Sequence, residues 1–310
     1  MSKNLLFDLD ILKKRARVIS QIRSFFDQHN VLEVETPLLW PFATVDSHID
    51  PIIANQRFYL QTSPELSMKK LICLGSGSLY QISKAFRNLE LGRWHNPEFT
   101  IIEWYRMGFN YFQLMDEVES LIQSIQNWPR FTKKTYTEIF TNCVGLHPMN
   151  SGLDEIKKYA KSLNVPALDE NDKDAWLDYI FMDKIQPGLG QETPVFIYDF
   201  PSTQANLAKL ALDDSQIALR FELFYKGVEL CNGFEEAEDA TEYLNRFEKE
   251  NLKRKMIGKP AINIDKEFIT LLNNKKLPMC SGVALGFDRL LMLMLDKTSL
   301  QEVLPFPLEG

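Results

Sequence analysis

The stretch AFRNLELGRWHNPEFTIIEWYR, residues 85–106, decides how the rest of the chain is read. It sets Arg87, Arg93, His95, Asn96 and several carboxylates between two apolar runs. The run before it, LYQISKAF, alternates like a strand, and EFTIIEWYR is its natural return partner. The segment therefore predicts a hairpin with a charged loop. Arg87 ends the first strand, and Phe99, Glu103 and Tyr105 share one face of the second by period two. A guanidinium can grip a phosphate through two hydrogen bonds, and an aromatic face can stack on a base. The competing reading is an exposed charged hairpin with its aromatics packed below.

Outward from the hairpin, residues 10–29 predict an amphipathic helix with Ile11, Val18, Ile19, Ile22, Phe25 and Phe26 on one side. VLEVETP predicts a short strand stopped by Pro37, which has no N–H for a ladder. RFYLQT is a further strand. SPELSMKKLICLG opens a helix with Ser63 as N-cap, Pro64 at the first helical position and Glu65 in the first turn. Residues 111–190 read as mostly helical, with DENDKDAW a solvated loop and helix start. Strands resume at VFIYDF, IALRFELFY and GVELCN. A charged helix covers roughly 238–256, and CSGVALGFDRLLMLML is a strand running into a helix. Strands grouped early and late around a helical middle predict an α+β fold on an antiparallel sheet; no βαβα rhythm supports a doubly wound one.

The chain has 310 residues and a formal net charge of −7, so no global positive field would draw in nucleic acid. MSKNLLFDLD has neither the basic nor the apolar region of a signal peptide. No run reaches the roughly 20 apolar residues of a membrane span. Cys73, Cys143, Cys231 and Cys280 form no CxxC pair and read as reduced core thiols of a cytoplasmic protein. The four histidines lack metal-ligand spacing.

There is no Walker loop, GxGxxG fingerprint or kinase signature, so side chains must hold any nucleotide phosphates. In RFELFYKGVELCNGFEE, Lys226-Gly227 predicts a two-residue turn. That turn sets Phe224 opposite Glu229 and Glu222 opposite Cys231, which leaves Glu222 and Glu229 diagonal neighbours about 7–8 Å apart. Two carboxylates aimed at one spot call for a cation, and oxygen-only ligands favour Mg²⁺. The alternative is that both point to water. Glu236 offers a further carboxylate to a cationic substrate, or is a surface acid. In SGVALGFDRLL, Gly282 and Gly286 permit close backbone approach. Arg289 falls in the first turn of a helix, against the macrodipole, which suggests an anionic partner or a salt bridge with Asp288.

Together these segments resemble the class II aminoacyl-tRNA synthetase catalytic domain. VLEVETP is similar to motif 1 at that family's dimer interface, FRNLELGRWHNPEFTIIEWY to motif 2 and GVALGFDRL to motif 3. SPEL, HNPEFT, FELF and NGF resemble the lysyl branch, and within it the elongation factor P–lysine ligases. Ser63, Ala284 and Trp94 stand where lysyl-tRNA synthetases carry Ala, Gly and Arg. The first helix also leads straight into motif 1 with no room for an anticodon-binding domain. The resemblance implies one catalytic domain over 1–310, an antiparallel sheet flanked by helices, with a mostly helical insertion at about 129–190. It implies a homodimer that does not act on tRNA. ATP, Mg²⁺, (R)-β-lysine or lysine, and elongation factor P as acceptor are the expected ligands and partner.

By the same resemblance, Arg87 holds the α-phosphate and the substrate carboxylate, and Phe99 and Arg289 sandwich the adenine. Asn96, Glu229, Leu230 and Gly286 complete the ATP site, and Glu222 and Glu229 bind Mg²⁺. Ser63 and Glu65 meet the substrate amino group, Glu236 and Tyr105 the distal ammonium, and Ala284 leans the pocket towards β-lysine. One position departs. Motif 2 reads Arg-x-Glu in the family, and here that place is Leu89, with Glu90 next. Either the loop bulges to bring Glu90 inward, or main chain near residue 89 serves the adenine amino group. The loss of one such hydrogen bond costs roughly 1–3 kcal/mol. Two other readings compete: a truncated lysyl-tRNA synthetase charging tRNA, and a silent paralogue that binds lysine or nucleotide, for which Leu89 is the only support.

Overall fold

The computed structural model describes residues 8–163, 169 and 171–308. The start of MSKNLLFDLD and Glu170 of DENDKDAW lie outside them. The chain forms two compact units, one of residues up to Asn127 with those from Glu236 onward, the other Trp128–Glu235.

The first unit begins with α1 (Leu9–Gln28), capped by Asp8, then β1 (Leu32–Glu33), β2 (Leu39–Trp40), β3 (Ile52–Ala54) and β4 (Phe58–Leu60). It continues through α2 (Glu65–Cys73), β5 (Leu79–Phe86), β6 (Glu98–Met107) and α3 (Tyr111–Ile125). The second unit holds β7 (Thr132–Thr135), α4 (Tyr136–Val144), α5 (Leu153–Lys161) and α6 (Lys173–Ile180), then β8 (Val195–Pro201), β9 (Ile217–Tyr225) and β10 (Val228–Glu235). The chain returns to the first unit with α7 (Ala240–Met256), α8 (Lys266–Lys275), β11 (Cys280–Gly286) and α9 (Phe287–Met294).

In the first unit the strands run β1-β5-β6-β11, and β2-β4-β3 form a small antiparallel sheet. The predicted β5–β6 hairpin forms, with a register that runs from Leu79 opposite Tyr105 to Phe86 opposite Glu98. Period two divides β6 into two faces. Ile102 and Trp104 are buried, and Trp104 meets Phe26 of α1 at 5.4 Å and donates to Glu117 of α3. The other face carries Phe99, Glu103 and Tyr105. In the second unit the order is β10-β9-β8-β7, over a core built on Tyr136, Phe140, Trp176, Phe181 and Phe224.

Three expectations need correction. The motif 1 strand is only two residues long and pairs parallel to β5, so the sheet is mixed. The helical middle contains β7, parallel to β8; its sequence TKKT has no apolar alternation to reveal it. Cys143 is exposed while the other three thiols are buried, and all four are free. No described helix is long and apolar enough to cross a membrane.

Candidate active site

Four elements of the first unit converge on one buried acidic pocket. Pro64 and Glu65 start α2, with the helix proper beginning at Glu65, one residue later than the sequence suggests. Ser63 still accepts from the Glu65 N–H through Oγ at 3.0 Å, and it also donates to Glu103 Oε2 at 2.7 Å. Tyr105 donates to the other Glu103 oxygen at 2.7 Å. Glu103 is buried on β6, and its carboxyl is pushed up to about 7 by burial and by the nearby Glu65 charge, against the pull of Ser63 and Tyr105.

Glu236, just past β10 in sequence, is buried too, and its carboxyl is pushed up to about 8 by burial despite a neighbouring ammonium. That ammonium is Lys69. It lies 2.6 Å from Glu65 Oε1 and 2.6 Å from Glu236 Oε2, with no exposed side-chain surface. Burial alone would lower the Lys69 pKa, but Glu236 and Glu65 more than offset it and raise it well above the ordinary value. Tyr243 of α7 donates to Glu236 Oε2 at 3.3 Å, whereas Glu236 Oε1 is buried with no hydrogen-bond partner. An added Cβ at Gly282 would lie 2.3 Å from the Tyr105 ring and 2.7 Å from Glu236 Oε1. Gly282 therefore makes room for these two side chains, which is a closer approach than the ligand contact its sequence suggests. Ala284 pairs with Glu103 across β11 and β6.

Along the same face of β6 lies the predicted anion clamp. The Arg87 guanidinium sits 5.0 Å from the Phe99 centroid, and its Nε is buried without a hydrogen-bond partner. One face of Phe99 is thus covered by Arg87. Asn96 is nearly buried and donates to the Glu98 carbonyl at 2.6 Å. Gly286 ends β11 and caps α9. Arg289, in the first turn of α9, donates to the Trp94 carbonyl at 3.1 Å and meets His95 Nε2 at 2.8 Å. Asp288 is not its partner: that carboxylate binds Arg15 and the Thr100 N–H.

Leu89 adopts φ +63° with its side chain 84% exposed. Leu89 thus turns through the left-handed region, as a loop that carries Glu90 towards Arg87 would require. This turn brings Glu90 to 3.8 Å from Arg87, while the Leu89 carbonyl accepts from the Leu91 N–H.

In the second unit, Lys226 and Gly227 both have positive φ, as a primed turn requires, and Phe224 pairs with Glu229 as expected. Beyond that pair, a bulge at Leu230 shifts the register, so Glu222 faces Asn232 and not Cys231. Glu222 accepts from Arg220 and, at 3.3 Å, from Asn232. Burial pushes its carboxyl up to about 8; Arg220 opposes this and the charge of Glu229 adds to it. A carboxylate charge close enough to add to the raising of Glu222 fits a divalent cation that keeps its waters. Among the described residues no cluster of three or more His, Cys, Asp or Glu forms a fuller metal site.

The sequence did not single out Lys69 or Tyr243, and it placed Glu103 only on the right face. A lysine four residues after Glu65 is the helical spacing that signals the first pair. Nothing local marks it as buried.

Comparison with known proteins gives a consistent picture. The sequence model of the tRNA synthetases class II (D, K and N) matches residues 8–310. A Hamiltonella defensa protein named elongation factor P--(R)-beta-lysine ligase is 42% identical over 309 residues, covering 96% of this chain and 95% of its own. A Vibrio cholerae protein of the same name is 43% identical over 307 residues, covering 96% and 94%. A Haemophilus influenzae one is 41% identical over 312, covering 98% and 96%.

Proposed function

Because the chain belongs to the class II tRNA synthetases of the D, K and N type, we propose that it is an ATP-dependent ligase. It activates (R)-β-lysine as an aminoacyl-adenylate and transfers it to a lysine side chain of elongation factor P. The observation that carries this reading is the ammonium pocket. Glu65, Glu103 and Glu236 surround a buried cation in the first unit, and the same face of β6 continues to Arg87 and Phe99. A diamino acid and an anionic nucleotide would find their counter-charges along one strand.

In the first step a substrate carboxylate oxygen attacks the α-phosphorus in line, and the bond to pyrophosphate breaks. Arg87 and Arg289 are the catalytic residues, because guanidinium groups stabilise charge that grows on the phosphoryl oxygens. The buried, unpartnered Nε of Arg87 supports its part in this. Phe99, Asn96, Gly286 and the backbone near Leu89 are assigned to the nucleotide, with Glu90 in place of the missing motif 2 carboxylate. Glu229 and Leu230 of the second unit are assigned to ATP as well. Ser63, Glu65, Tyr105, Ala284 and Glu236 are assigned to the amino acid, and the free Glu236 Oε1 suits the distal ammonium. In the second step the acceptor amine attacks the activated carbonyl carbon, an amide forms and AMP leaves. Positioning supplies most of the rate in both steps.

Glu222 and Glu229 would hold Mg²⁺, which, when bound, neutralises phosphate charge. The match over 8–310 supports one catalytic domain across 1–310, with 129–190 as its largely helical insertion. We assign the protein to the cytoplasm as a homodimer acting on protein and not on tRNA. Exposed Leu32, Leu39 and Ile53 on the short strands support a subunit contact near motif 1.

The test is ATP–pyrophosphate exchange by the purified protein with (R)-β-lysine, α-lysine or no amino acid. Exchange that favours β-lysine, followed by a lysylated elongation factor P, is the expected result. Exchange with α-lysine alone, together with charging of tRNA, would overturn the assignment. So would no exchange with either isomer.

A further inference from the structure

Lys69 has no role in the scheme above, yet it is the most completely buried cation of the pocket. It holds one oxygen of Glu65 and one of Glu236, and its ammonium also lies 5.2 Å from the Tyr243 ring centroid and 5.9 Å from that of Tyr105. We infer that Lys69 is a positioning and specificity residue for the amino-acid site. Its fixed ammonium orients Glu65 and Glu236 and leaves the three-carboxylate pocket with two uncompensated negative charges, the number a diamino acid supplies cations for. This inference rests on the proposed function and deepens it.

The geometry supports the orienting part. With Oε2 of Glu236 occupied by Lys69 and Tyr243, only Oε1 is left, and it is the oxygen that closes on Gly282 and the Tyr105 ring. Glu65 lies in the first turn of α2 and Lys69 one turn on, so a short, stiff piece of helix sets the distance between carboxylate and ammonium. The charge count supports the selective part. Three ionised carboxylates around a single lysine carry excess negative charge in a dry site, so Glu103 and Glu236 take up protons readily when no ligand balances them. Two ligand ammonium groups would complete the balance; one would leave a buried carboxylate charged and unpaired or force it to protonate.

The groups that bear on Glu236 come from every side of the pocket. Glu65, Lys69 and Cys73 lie on α2, Glu103 and Tyr105 on β6, Tyr243 on α7, and Cys280 on β11, with Glu238 also near Cys280. Cys73, Cys280 and both tyrosines stay neutral at ordinary pH, since burial raises all four. Lys69 is then the described cation that opposes the protonation of Glu236, which burial pushes up to about 8 in the ligand-free pocket.

The experiment compares wild type with Lys69→Gln, which keeps a hydrogen-bond donor but no charge. KM for (R)-β-lysine should rise about 100-fold at pH 7.5, with KM for ATP within about threefold, and the acidic limb of kcat/KM should move up by about one pH unit. Combining Lys69→Gln with Glu236→Gln should cost much less than the two single effects together, because one acts through the other. A folded Lys69→Gln variant with wild-type amino-acid KM and an unmoved pH profile overturns the inference. If that variant does not fold, titration of the wild-type protein decides. 1,5-Diaminopentane should bind at least about 30-fold more tightly than pentylamine, and equal affinities overturn the charge balance. Absence of exchange in the wild type would sink the proposed function, while the diamine titration would still judge the pocket.

Discussion

Gly282→Ala adds one methyl group at the tightest point of the ammonium pocket. Gly282 is not among the positive-φ glycines, so alanine fits its backbone and any effect is steric. The new Cβ would lie 2.3 and 2.6 Å from two Tyr105 ring carbons and 2.7 Å from Glu236 Oε1. Carbon atoms settle at about 3.5–4.0 Å, so the ring would have to retreat by about 1.2 Å or more. Tyr105 is buried and its hydroxyl is held 2.7 Å from Glu103, so that retreat breaks the hydrogen bond or displaces β6. Overpacking of this kind costs about 1–3 kcal/mol of stability. Loss of a hydrogen bond to an ionised carboxylate costs about 1.5–3 kcal/mol, equivalent to about 10- to 150-fold in affinity. Pyrophosphate exchange at varied amino acid and varied ATP is the assay, with a thermal melt alongside. KM for (R)-β-lysine should rise in that range while KM for ATP stays within about threefold. An amino-acid KM within twofold of wild type would mean that Tyr105 and Glu236 do not form the amino-acid site in this geometry.

The raised carboxyls of Glu103 and Glu236, about 7 and about 8 against an ordinary 4.5, give the ligand-free protein a defined pH response. Between pH 4.5 and 8 the folded state binds more protons than the unfolded one, so stability falls as pH rises through that window. Affinity for an ammonium ligand should rise over pH 7–8; melts and amino-acid titrations from pH 6 to 9 should show both trends, and a melt that rises with pH would contradict the burial of these groups. At the motif 2 loop, Leu89→Glu should leave KM for ATP within about twofold because the side chain is solvent-facing, whereas Glu90→Gln should raise it about 5- to 150-fold. A fall of tenfold with Leu89→Glu would show that residue 89 turns inward. Leu89→Gly should stabilise the fold by up to about 1.5 kcal/mol, read from the denaturant midpoint, because about 1–2 kcal/mol of left-handed strain is removed against about 0.5–1 kcal/mol of added chain entropy. Chelation should abolish exchange and Mg²⁺ restore it, with Glu222→Gln needing at least tenfold more Mg²⁺; an unchanged requirement would remove Glu222 from the metal site.

Local patterns in the sequence were enough for the α+β class, for the 79–107 hairpin and for Arg289 in the first turn of the last helix. They also placed the Lys226-Gly227 turn. Each follows from alternation, capping or turn chemistry within a dozen residues, which is the range over which backbone preference acts. The resemblance of the motifs carried the reading on to the acidic residues of the pocket. Tertiary structure decided what those local rules cannot reach. The bulge at Leu230 that turns Glu222 towards Asn232 depends on how two strands meet, and the parallel strand TKKT depends on its neighbour Val195–Pro201. The left-handed Leu89 is costly in isolation and persists only because the loop around it is held, with Arg93 and Trp94 both donating to the Thr298 carbonyl. Lys69 is the clearest case. In sequence it is one of two adjacent lysines on an amphipathic helix, set apart from Lys70 only by its helical spacing from Glu65, which says nothing of burial. Only burial beside Glu236, 167 positions away by number, turns it into the cation of the pocket, because the strength of a charge pair is set by distance and by the exclusion of water.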